Sequence, residues 1–152
     1  MTNNPVIRVR HLRPEDDSDI SLPGYMTPHC SGMDLCAAVK GEQVLEVGAI
    51  KAIPTGIAIA IPEGFEGQVR PRSGLAFKHG ISIINSPGTI DADYRGEIMV
   101  ALINLGGDPY TVRRGDRIAQ LVIQKVYQAS LEVVEALDET ERNEGGFGHT
   151  GH

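Results

Sequence analysis

Residues 85–104 hold the densest set of side chains capable of chemistry. Asp91, Asp93, Tyr94, Arg95 and Glu97 lie between a turn signal, Ser86-Pro87-Gly88, and an unbroken apolar run, Ile98 to Ile103. A polar cluster set by a turn and anchored to a buried strand suits binding or acid–base work, though spacing alone does not name the reaction. Two further stretches favour an anionic ligand. Arg70-Pro71-Arg72 precedes Ser73-Gly74-Leu75-Ala76-Phe77-Lys78-His79-Gly80, which reads as a one- or two-turn helix with Ser73 as N-cap and Gly80 as terminator. An Arg beside the free N–H groups of a helix start can hold a phosphate. Near the end, Arg142 and Phe147 stand among four glycines, Gly145, Gly146, Gly148 and Gly151. By composition, residues 138–152 form a tail that is mobile when free, and they also suit a flap that orders over an anionic aromatic ligand.

The elements that must position these groups are strands. Helical periodicity is almost absent. Short apolar runs recur around Val6–Arg10, 44–47, 49–53, 57–61, 81–84, 98–103, 110–112, 118–126 and 131–134, divided by many of the 18 Gly and 9 Pro. That pattern predicts an all-β sandwich or barrel with one short helix. With 152 residues and 41% apolar content, the chain is expected to form one β domain, 1–137, followed by the tail, 138–152.

Charge and composition exclude several classes. There are 14 Lys+Arg against 20 Asp+Glu, a net charge of −6. General binding to a nucleic-acid backbone needs a basic face, so it is not expected. No apolar run nears the roughly 20 residues that span a bilayer, so no membrane partner is expected. No secretory signal is read at Met1-Thr2-Asn3-Asn4-Pro5. Cys30 and Cys36 have no metal-binding spacing and read as reduced thiols. The expected compartment is the cytoplasm.

Five stretches, in order, resemble the five motifs of the trimeric deoxyuridine triphosphate nucleotidohydrolases (dUTPases). They are Gly32-Met33-Asp34-Leu35-Cys36-Ala37-Ala38, Pro71-Arg72-Ser73-Gly74-Leu75-Ala76, Gly88 through Ile98, Gly115 through Val122, and Arg142 through Gly148 with Thr150 and Gly151. The resemblance implies a distorted jelly-roll-like β subunit, a homotrimer with shared active sites, and Mg²⁺-dependent hydrolysis of dUTP to dUMP and pyrophosphate. It implies Asp91 as the base that activates water. Asn85, with Gly88, Thr89, Ile90 and Met99, would read uracil in a tight hairpin, and Tyr94 would pack against the deoxyribose. Arg72, Ser73 and Gly74 would hold the phosphates, Gln120 would bind the α-phosphate and help place the water, and Ser73 and Gln120 would join Asp91 as catalytic residues. Arg142 would clamp the γ-phosphate, Phe147 would stack on the base, and Gly148 belongs to the same flap. No side chain would bind the metal directly; the phosphates would carry it, with Asp34 acting through water.

Two tail residues depart from the family pattern. Asn143 follows the Arg where Gly is common, and His149 precedes Thr150 where Ser is common. Asn is among the non-glycine residues that best tolerate φ > 0. Two alternatives remain. A dCTP deaminase-like enzyme would carry a Glu where this chain has Ala101, which cannot shuttle a proton. A non-hydrolysing nucleotide-binding jelly roll would be expected to lack Asp91.

Overall fold

A computed structural model describes residues 4–146. Its strands are β1 (Arg8–His11), β2 (Met33–Cys36), β3 (Gln43–Leu45), β4 (Ile50–Pro54), β5 (Ile57–Ala60), β6 (Phe65–Arg70), β7 (Ile81–Ile83), β8 (Gly88–Ile90), β9 (Met99–Asn104), β10 (Tyr110–Val112) and β11 (Arg117–Lys125). Helix α1 (Pro14–Asp17) follows β1, and helix α2 (Ser73–His79) links β6 to β7. One sheet has the order β2-β11-β6-β8 and another β4-β9-β7; β1-β5 and β3-β10 form two-stranded ribbons. Their pairing is antiparallel throughout.

One core joins these layers. Leu35, Val69, Ile90 and Leu121 from the four-stranded sheet meet Ile53, Ile81, Val100 and Leu102 from the three-stranded one. Leu45, Ile57 and Val112 extend that cluster into the ribbons. Each such burial contributes about 1.5–3 kcal/mol relative to exposure. The all-β, jelly-roll-like expectation therefore holds.

Five details differ from the sequence reading. A second short helix, α1, is present; its single turn starts at Pro14, a residue suited to a first helical position. Strand β6 escapes an apolar scan because Gly67 interrupts it; a Cβ there would lie 3.0 Å from Leu121 Cδ1, so close strand packing selects glycine. Ser73 is the first residue of α2, not its cap: extended Arg72 takes the cap position, and Gly80 ends the helix at φ +67°. Residues 131–134 form no strand, and Leu131, Val133 and Val134 are exposed, because no strand among the described residues pairs with them.

The stretch expected to be a hairpin is instead a crossing between sheets. β7 pairs with β9, whereas β8 pairs with β6. Residues 84–87 carry the chain from one layer to the other, around a cis Ser86–Pro87 peptide. The Ser86 hydroxyl donates back to the Ile83 carbonyl across this bend.

Candidate active site

Arg72, Ser73, Gly74 and Gln120, four of the expected phosphate residues, lie at one end of the four-stranded sheet. β11 lies between β2 and β6, so Gln120 is opposite Asp34 on one side and Arg70 on the other. Glycine at position 32 makes room for that glutamine, since a Cβ there would lie 3.1 Å from Gln120 Cβ. The Asp34 carboxylate is buried, 8% exposed, and accepts hydrogen bonds from Arg72 Nε at 3.1 Å and Arg117 Nη1 at 3.3 Å. Arg72 Nη1 also donates to the Arg117 carbonyl at 3.2 Å. The Arg72 guanidinium is thus fixed by two acceptors and keeps N–H groups for a ligand. Ser73 and Gly74 follow at the exposed first turn of α2, and a Cβ on Gly74 would meet nothing within 4 Å. The other end of α2 is seated by the His79 ring, 5.1 Å from that of Tyr110.

The sequence reading assigned no role to Arg117. Its presence two residues before Ala119, in the strand that faces Asp34, was the available signal.

Asn85, Gly88, Thr89, Ile90 and Asp91 lie elsewhere. Gly88 is opposite Val69 and Ile90 opposite Gly67. A Cβ on Gly88 would lie 3.3 Å from Asn85 Nδ2, so glycine lets the amide approach the strand. Asp91 follows β8, exposed, with its carbonyl accepting the Tyr94 N–H at 3.1 Å. It lines a groove of about 560 Å³ with Glu63, Glu66, Asp93 and the apolar edge of Phe65 and Val126. Four carboxylates line that groove, and no Lys or Arg does. From Gly67 to Arg70 the strand covers roughly 10 Å at about 3.3 Å per residue, before Arg72 is reached. Asp91 and Arg72 therefore lie toward opposite ends of the strand pair β6–β8.

Tyr94 folds over Gly96 and donates to the Glu97 carbonyl at 2.9 Å; any side chain at 96 would collide with its ring. Met99 begins β9 opposite Pro54. Ala101, on the same strand, supplies no acid. Arg142 is exposed in the last described stretch, with Nε donating to the Gly145 carbonyl at 2.8 Å. Phe147, Gly148 and His149 lie outside the described residues.

An ionic chain without a local sequence signal ties Glu97 to the N-terminal segment. Glu97 accepts from Arg13 Nη2 at 2.8 Å and Nη1 at 3.2 Å, and from the Gly56 N–H at 2.8 Å. Arg13 also donates to Asp17, 1% exposed, which Arg114 contacts from the other side at 3.1 Å. Arg114 continues to Asp19 at 2.6 Å. The Arg13 hydrogen bonds hold the Glu97 carboxyl below its usual range against the opposing effect of burial, and the Gly56 N–H adds to this. Asp19 is likewise lowered by Arg114. Apart from Arg13–Asp17, four residues apart, these partners are 41 to 97 residues apart in sequence, beyond any local pattern.

Metal-holding chemistry can be tested on the donor set. Among the described residues, no group of three or more His, Cys, Asp or Glu could hold a metal ion. Each Asp34 oxygen already takes one guanidinium hydrogen bond and retains a second lone-pair site. That suits contact through water with an ion carried by a ligand's phosphates.

Residues 18–151 match the dUTPase family. This chain belongs to the dUTPase family. It is 59% identical to the deoxyuridine 5′-triphosphate nucleotidohydrolase of Syntrophotalea carbinolica, over 95% of this chain and 96% of that one. The enzyme of the same name from Caldanaerobacter subterraneus subsp. tengcongensis is 54% identical over 91% and 94%. Among solved structures, the Staphylococcus bacteriophage 80alpha dUTPase with dUPNHPP superposes with a TM-score of 0.86 at 28% identity, covering 99% of this chain and all of that one. A mutant dUTPase from phage phi11 of S. aureus, described with a structural Mg(II) ion, gives 0.76 at 26% identity, over 88% of this chain and 99% of that one.

Proposed function

We propose that this dUTPase-family chain hydrolyses dUTP to dUMP and pyrophosphate, with Asp91 as general base. That reaction limits uracil entry into DNA and supplies dUMP for dTMP synthesis. The observation that carries the reading is the Asp91 carboxylate, open to solvent at the end of β8 beside the bend that holds Asn85. Asp91 takes the proton of a water as that water attacks the α-phosphorus, and pyrophosphate leaves in line. Asn85 and the backbone of Gly88 to Ile90 and Met99 read the uracil edge, where an unmatched donor or acceptor would be left buried and unpaired. Tyr94 checks the sugar. Arg72, Ser73, Gly74 and Gln120 grip the phosphates, Arg142 closes on the far end, and Phe147 covers the base. Mg²⁺ on the triphosphate, when bound, neutralises part of its charge; Asp34 faces it through water.

The working unit of this reading is a homotrimer. A triphosphate beside Asp91 faces Glu63, Glu66 and Asp93, so its cations must come from another copy. One copy contributes Asp91 and Asn85, a second Arg72 and Gln120, and the tail, residues 138–152, closes over the site. Surfaces suited to assembly are available. Ile50, Ile84 and Met99 expose one face of the β4-β9-β7 sheet, and Leu131, Val133 and Leu137 expose an arm beyond β11. Among the described residues no helix is long and apolar enough to cross a membrane, and both cysteines are free, which supports a cytoplasmic setting.

The direct test is pyrophosphate release from dUTP, dTTP, dCTP and UTP measured side by side. Strong preference for dUTP is expected. Equal turnover of UTP or dTTP would remove the sugar and methyl checks, and ammonia release from dCTP would move the chain to deamination.

A further inference from the structure

Asn143 is the one non-glycine residue with positive φ, +41°, among the described residues. Its Oδ1 accepts the Thr140 N–H at 2.7 Å, and the Thr140 hydroxyl oxygen accepts the Asn143 N–H at 3.0 Å. This reciprocal pair has the pattern of a capping box, a hydroxyl and a side-chain carbonyl three residues apart. The left-handed φ then turns the chain away from a helix. Directly after it, the Gly145 N–H donates to the Arg142 carbonyl at 2.9 Å, and Arg142 Nε donates to the Gly145 carbonyl at 2.8 Å. Residues 140–144 are all exposed, so no core packing shapes this loop. Its form comes from its own hydrogen bonds, in a segment whose composition otherwise favours a mobile chain.

We infer that Thr140 and Asn143 form a clasp that pre-shapes the tail loop, making Asn143 a positioning residue for the Arg142 guanidinium. This rests on the phosphate-gripping role proposed for Arg142. With Nε tied to Gly145, the four Nη hydrogens remain for an anion. A loop already bent loses less conformational freedom when it closes on a ligand. The residue type fits the task. Glycine would reach the same φ but lacks Oδ1; alanine lacks both properties. Aspartate would keep the acceptor while placing a negative charge beside the phosphates. Asparagine combines left-handed tolerance with a neutral acceptor.

The test uses the full chain with Asn143→Gly, Asn143→Ala, Thr140→Val, Thr140→Ser and the Thr140→Val/Asn143→Gly double variant. Asn143→Gly and Thr140→Val should each raise KM for dUTP by about three- to tenfold while kcat stays within about twofold, the range expected for a lost cap. The double variant should be no worse than the poorer single one, because the two residues share one clasp. Asn143→Ala should be worse than Asn143→Gly, and Thr140→Ser should restore wild-type KM. Trypsin should cut after Arg142 faster in the clasp variants without nucleotide. Unchanged KM in Thr140→Val and Asn143→Gly, or strictly additive effects, would overturn the clasp. Arg142→Ala separates the two readings. If it raises KM and the clasp variants do not, only the clasp falls. If it leaves KM unchanged, the grip falls and the positioning role with it.

Discussion

Arg72 and Asp91 sit at opposite ends of one four-stranded sheet and are held in opposite ways. Arg72 is fixed by charge: a buried carboxylate, Asp34, takes its Nε, and the Arg117 carbonyl takes an Nη. Asp91 is fixed by backbone alone, at the end of the three-residue strand β8, with its side chain exposed. A group that must grip a charged ligand gains from being pre-oriented by a buried counter-charge. A base must keep its lone pairs for water, so a tight ion pair would blunt it. Within one copy of the chain, the two ends thus separate a charge-oriented group from a solvent-open carboxylate.

The largest expected effect removes the reactive end alone. Asp91→Asn should lower kcat by about 10²- to 10⁴-fold while leaving thermal stability and binding of a non-hydrolysable dUTP analogue intact. A kcat near wild type would remove the base from Asp91. At the charge-held end, Asp34→Ala should cost about 3 kcal/mol of stability in a denaturant melt, because two guanidinium groups lose their buried partner. A loss at Asp34 no larger than that of an exposed ion pair would mean that Arg72 is oriented by something else.

Mixed assemblies address both ends at once. Co-refolded at equal amounts, Asp91→Asn and Arg72→Ala chains should regain about a quarter of wild-type activity, since that share of randomly mixed shared sites takes both intact residues. No recovery in confirmed mixed trimers would place both residues in one copy's site. A smaller effect is expected from Gly88→Ala. Its Cβ would crowd Asn85 and Val69, at 3.3 and 3.4 Å, and should raise KM for dUTP more than it lowers stability, by about 1 kcal/mol.

The smallest effect concerns pH. The Glu97 carboxyl is held below its ordinary 4.5 by Arg13. Its contribution to stability is complete above that value, where the unfolded carboxyl is already ionised, and is lost as pH falls through the lower folded value. Glu97→Gln should therefore flatten the acid limb of the stability–pH curve below about pH 4.5 and leave the neutral-to-alkaline limb unchanged. An unchanged acid limb would show that Arg13 leans on Asp17 instead.

Legibility followed the range of the interaction. Helix α2 and its Gly80 stop could be read locally, because capping chemistry acts within a few residues. Strands β4, β5, β9 and β11 could be read because their apolar runs are dense. Strand β8 was hidden inside a turn signal, and β6 was broken by a glycine chosen for packing against Leu121. Of the candidate site, Asp91, Arg72, Gln120 and Arg142 are proposed from motif chemistry alone. The partners of Asp34 were not legible, since Arg72 and Arg117 lie 38 and 83 residues away.

Residue types and short spacings were enough for the family and the β class. The folded chain was needed to see that residues 84–87 cross between sheets and do not close a hairpin. It was also needed to see that Asp34 anchors Arg72, and that Asp91 faces carboxylates within its own chain. The physical reason is the same in each case. Pairing register and charge contacts join residues that are distant along the chain, and no local spacing encodes which distant partner will be met.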